Sequence, residues 1–204
     1  MLVCVRLSVV ALAVLVPLDG LGQGAGPMTS ARIRALTRTA QAGRGSDPTE
    51  LVLALDASVR AQWGDFESFP LPVLRREDLN ITLTTPYMTY RRTLVNYLRI
   101  ARPIADVPWI AAAVITVEPG RIDAPDITRV VVERDGRPVP ALENLLRPMT
   151  YMNGNGDRAL IHAGEARFPL SAFTPGAPVT IAAIPQAGSA FVMTLNDEQL
   201  RTLK

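Results

Sequence analysis

The stretch "ITRVVVERDGRPVPAL", Ile127 to Leu142, limits the possible folds of this chain more than any other. β-Branched residues run up to Asp135-Gly136 and resume at Val139. Asp-Gly is the pair favoured where both central turn residues take positive φ, so the stretch predicts a β-hairpin. The surrounding sequence supplies partners for it. "WIAAAVITVEP" reads as a buried strand upstream, and "LLRPMTYMNGNGDRALIHAGEARFPLSAF" gives two or three more strands downstream. "PVTIAAIP" and "SAFVMTL" form a further pair across Gln186-Ala187-Gly188. Closely spaced strands with turn residues between them predict a β-sandwich. Pro138, Pro140, Pro169 and Pro178 must then sit at edges or strand ends, because each removes a ladder donor.

The N-terminal half has a different period. In "SDPTELVLALDASVRAQWGDFESF", Ser46 or Asp47 can cap, Pro48 suits the first helical position and Glu50 complements the helix dipole. Leu51, Leu55, Val59 and Trp63 then recur at near-helical spacing until Gly64. "FPLPVLRRED" reads as a Pro-broken connection. Ile81 and Leu83 alternate as in a strand. Thr85-Pro86 next opens a helix whose stripe is Tyr87, Tyr90, Leu94, Leu98 and Ala101, and Pro103 ends it. Asn196 and Gln199 are spaced as a capping box for a short C-terminal helix. The fold class expected is α+β: N-terminal helices, then an immunoglobulin-like antiparallel β-sandwich, then a short helix. "FPLSAFTPGAPVTIAAIP" resembles, in strand and turn rhythm, the small immunoglobulin-like modules of exported bacterial proteins, although it carries no functional motif.

Four segments follow. Residues 1–22 read as a signal peptide, with Arg6, an apolar run from Leu7 to Leu18, and a small-x-small site at Gly20-Leu21-Gly22. Residues 23–45 carry Arg32, Arg34, Arg38 and Arg44 and read as a basic linker or loose helix. Residues 46–78 are a helix and its Pro-rich connection, and 79–204 the strand, helix and sandwich. The chain's single cysteine, Cys4, leaves with the signal, so stability must come from the core and not from disulfides. A periplasmic or secreted location is expected, with no stable membrane span after signal removal. A net charge of +2 and export both disfavour nucleic acid as a partner.

Candidate chemistry is sparse. "NGNGD" (Asn153–Asp157) has neither the helix and lysine of a phosphate loop nor the carboxylates of a calcium loop, and Asn-Gly suits a turn of positive φ. Gly154 and Gly156 are both expected to need that conformation. His162 is the only histidine and has no Gly-x-Ser-x-Gly serine to serve, Ser171 and Ser189 lying outside any such elbow. Glu118, Asp123 and Asp126 are the only β-region carboxylates placed for acid–base work. No metal or cofactor is expected, since one histidine without cysteine makes a poor zinc site.

Tyr87, Tyr90, Arg91, Arg92, Arg99 and Arg102 form the richest candidate partner surface, Tyr with Arg being the composition of binding hot spots. The competing reading packs the Tyr face inward and leaves the arginines in water. Arg91 and Arg92 are placed at the border of the stripe, exposed and of little consequence for stability. The expectation is a non-enzymatic binding or assembly module of the cell envelope, acting on a protein partner through a strand edge or the helix 86–102. The alternatives are a small envelope hydrolase using Glu118, Asp123, Asp126 and His162, and a binder of anionic polymer using Arg91, Arg92, Arg99 and Arg102.

Overall fold

The computed structural model describes residues 27–44, 47–66 and 69–203. The expected signal peptide, its cleavage site, Cys4, Gly45 and the capping alternative Ser46 lie outside them. The predicted hairpin forms: strands β4 (Ile127–Arg134) and β5 (Arg137–Val139) pair across Asp135 at φ 50° and Gly136 at φ 69°. Two left-handed residues in succession give the turn whose twist matches that of the flanking strands.

Around this hairpin the chain builds two antiparallel sheets. The first contains β1 (Leu71–Arg75), β2 (Leu79–Thr84), β3 (Ala113–Pro119), β8 (Arg158–Phe168) and β6 (Glu143–Asn144), in that order, with β7 (Arg147–Met152) also paired to β8. The second runs β10-β9-β4-β5, with β9 at Val179–Pro185 and β10 at Phe191–Leu195. Period-two alternation points one face of each sheet inward. Leu79, Ile81, Leu83, Ile115 and Val117 meet Ile127, Val132, Val179, Ile181 and Leu195 in one core with Phe168 and Phe173. The fold is therefore α+β with a sandwich. Leu200 and Leu203 of and beside α4 (Asp197–Thr202) join that core, and the expected Asn196/Gln199 capping box starts the helix.

A second core belongs to the helices. Leu51, Leu55 and Val59 of α2 (Pro48–Trp63) pack with Ile33 of α1 (Ser30–Arg44) and with Tyr87, Tyr90 and Leu94 of α3 (Pro86–Arg99). Asp47 caps α2 by accepting from the N–H groups of Thr49 and Glu50, and Gly64 closes it. Residues 30–44 thus form a packed helix, with Ile33 and Thr37 fully buried and Arg34 donating to the Ala105 and Val107 carbonyls. Helix α3 leaves β2 through the Thr85 cap and puts Met88 into the sandwich core. It therefore joins the two cores.

Two expectations need correction. The Pro-rich "connection" is in part a strand: β1 pairs with β2, and its position at the sheet edge tolerates Pro72, beside which the register slips. Of the two glycines in "NGNGD", only Gly156 takes positive φ (86°). The turn is held instead by Asn153, whose Oδ1 accepts from the N–H groups of Asn155 and Asp157. The Asp157 carboxylate also accepts from Asn153 Nδ2 at 2.8 Å.

Candidate functional site

Helix α3 does not present a Tyr/Arg surface. Tyr87 and Tyr90 are fully buried in the helical core, Tyr87 edge-on to Phe66, so neither reaches a partner. The stripe faces inward from Tyr87 to Leu98 because its spacing matches that of Leu51, Leu55 and Val59 across the interface, whereas Ala101, expected to continue it, lies exposed beyond the end of α3 at Arg99. Arg91 is not a free surface charge. Its Nε lies 3.0 Å from both carboxylate oxygens of Asp56, and Asp56 also accepts the Tyr87 hydroxyl at 2.6 Å. The Asp56 side chain is only 4% exposed, which makes Arg91 an internal strut. Burial, then the hydrogen bond to Asp56, pushes the Tyr87 hydroxyl far above its ordinary range, so it stays protonated. Asp56 was a legible signal: it falls on the buried face between Val52 and Val59, where an acid without a partner is untenable. Arg92, Arg99 and Arg102 are exposed, with Arg102 lying over the Tyr97 ring.

The hydrolase candidates do not converge. Glu118 accepts from Asn80, Asp123 pairs with Arg121, and Asp126 pairs with His162. A groove of about 330 Å³ contains Asp123 together with Arg121, Ile122, Tyr151, Met152 and Asn153, but not the other acids or His162. Ser171 and Ser189 are exposed elsewhere. Asp126 and His162 have a structural task. One oxygen, Oδ1 of Asp126, lies 2.9 Å from His162 Nδ1 and accepts the His162 backbone N–H at 2.6 Å. β3 pairs with β8 only over Gly164–Phe168, so Asp126 covers β8 where its other neighbour has ended.

The sheet edges differ in how they are protected. Exposed edge strands invite pairing with another chain, and proline, charge, bulges or shortness blunt them. β1 has Pro72, Arg75 and a register shift. β5 has three residues, among them Arg137 and Pro138. The β6–β7 edge is interrupted at Leu145-Leu146 and carries Arg147 and Pro148. β10 has none of these among its own residues, and the charge beside it is the Arg76 guanidinium, 5.5 Å from the centre of the Phe191 ring. Phe191-Val192-Met193-Thr194-Leu195 pairs in unbroken register with β9, and Val192 is 63% exposed. Beside it lies an apolar slot of about 260 Å³, where Phe191 and Met193 face Val73, Leu74 and Ile81 across the mouth of the sandwich. No sequence signal marked this edge, because strand order decides which strand is outermost.

Comparisons with protein families, curated proteins and solved structures find no match. Among the described residues, no helix is long and apolar enough to cross a membrane.

Proposed function

We propose that the protein is an exported, non-enzymatic binding module of the cell envelope that captures an extended segment of a protein partner on the outer edge of β10. The unprotected edge carries this reading. Backbone groups of an added strand pair with β10, which supplies affinity, and its alternate side chains enter the apolar slot, which supplies selectivity. The fitting partner is a segment of alternating apolar residues. The order of the sheets supports an immunoglobulin-like assignment. Lettered in chain order from β2, with β6 and β7 together as D, the sheets read A-B-E-D, with β1 as an added strand beside A, and G-F-C-C′. β10 is then the terminal G strand. The leader-like residues 1–22 support export.

The test uses Val192→Lys with Thr194→Lys. Both side chains point outward, so the double variant should fold like wild type, while its charges oppose strand addition. The tagged mature protein should recover a specific envelope protein, and the variant should lose it. Equal recovery by a folded variant contradicts the proposal.

A further inference from the structure

We propose that the cleft between α2 and α3 is a binding site for a small organic monoanion, a carboxylate on a short aliphatic stem, held between the guanidinium groups of Arg91 and Arg99. The cleft is separate from the β10 edge, and its volume is about 330 Å³. Its walls are Pro48, Thr49 and Val52 of α2, and Arg91, Val95 and Arg99 of α3. It therefore offers two cationic groups flanking two valines, the mixture of a few placed polar groups and apolar lining that small-molecule sites share.

The geometry of Arg91 is the main argument. Its Nε meets both oxygens of Asp56 at 3.0 Å, while the Phe69 ring lies 5.5 Å from the guanidinium carbon. Asp56 is itself fixed by the Tyr87 hydroxyl. This contact through Nε leaves both Nη nitrogens without a hydrogen-bond partner among the described residues. A half-buried guanidinium clamped on one side with donors to spare is pre-organised, so little rotamer entropy is lost when an anion arrives. Arg99, exposed in the last turn of α3, has no ion pair among the described residues and supplies the second cation.

Charge selects the ligand class. Asp56 against Arg91 and Asp47 beside Thr49 balance the two arginines, so the cleft has no surplus positive charge, which disfavours a phosphate dianion more than a monoanion held by the free Arg91 donors. The N-terminal amides of α2 add nothing, because Asp47 already accepts from Thr49 and Glu50. The stem lies on Val52 and Val95.

Titration of the mature protein with hexanoate, acetate and hexanamide, followed by amide chemical shifts, tests the site. Hexanoate should bind saturably at millimolar concentration, acetate about tenfold more weakly for want of the stem, and neutral hexanamide not measurably. Arg99→Gln, a surface change that leaves the fold intact, should weaken hexanoate about tenfold, and Arg91→Gln should weaken it at least as much. Shifts should centre on Val52 and Val95. Absence of saturable hexanoate binding, equal binding of hexanamide, or undiminished affinity in Arg99→Gln overturns the proposal.

Discussion

Gly164→Ala is the sharpest test of the sandwich edge. Gly164 sits in β8 opposite the Leu145-Leu146 interruption, with φ at 133°. A Cβ built there falls 2.5 Å from the Leu145 carbonyl oxygen and 3.2 Å from its carbon. The oxygen must withdraw by most of an ångström, although the Leu145 N–H is tied to the Glu165 carbonyl at 2.8 Å. A side chain in that backbone region costs about 1–3 kcal/mol. Straining or breaking the tie adds about 1 kcal/mol. The sum is about 2–4 kcal/mol, or about 4–16 °C in melting temperature for a domain of this size. Two neighbouring glycines calibrate the result. Gly156→Ala has open space but a φ of 86°, and should cost about 1 kcal/mol. Gly154→Ala has neither obstacle and should fall within about 0.5 kcal/mol of wild type. Thermal and urea denaturation of the three variants reads the series. A Gly164→Ala protein as stable as Gly154→Ala refutes the close approach of the Leu145 carbonyl.

Other expectations follow from the polar contacts. Asp126→Ala should destabilise by about 1.5–3 kcal/mol, because the covered β8 N–H loses a charged acceptor, and His162→Ala should cost less than about 1 kcal/mol. Equal losses in urea melts would show that the ring, and not the backbone contact, holds the edge. Arg91→Ala should cost about 3–5 kcal/mol by stranding the buried Asp56, whereas Arg92→Ala should be near neutral. Chemical denaturation separates the two, and a neutral Arg91→Ala removes the strut. Tyr87 binds its proton more tightly folded than unfolded, so its contribution to stability is complete below the unfolded-state value of about 10 and declines as pH rises above it. Stability should fall by about 1.4 kcal/mol per pH unit there from this group alone. Phenolate absorbance from Tyr87 in the native protein at that pH would contradict its burial.

Local signals were readable from the residues that carry them. Asp135-Gly136, Thr85-Pro86 and the Asn196/Gln199 pair each act within a few residues, and each formed the turn or cap expected. What depends on distant partners was not readable. Tyr87 and Arg91 look like a surface pair until Asp56, more than thirty residues upstream, is placed against them. Pro72 looks like a breaker until its strand proves to be an edge. Gly164 resembles any glycine until the Leu145 carbonyl stands over it. The exposure of β10 follows from strand order, which no local pattern encodes.

Site-specific photo-crosslinking tests the central claim most directly. A photoreactive residue at Val192, outward on β10, is compared in the native envelope with one at Leu53, which is 60% exposed on α2. The β10 account predicts a discrete protein adduct from position 192 and none from position 53. An adduct from position 53 with none from 192 contradicts it.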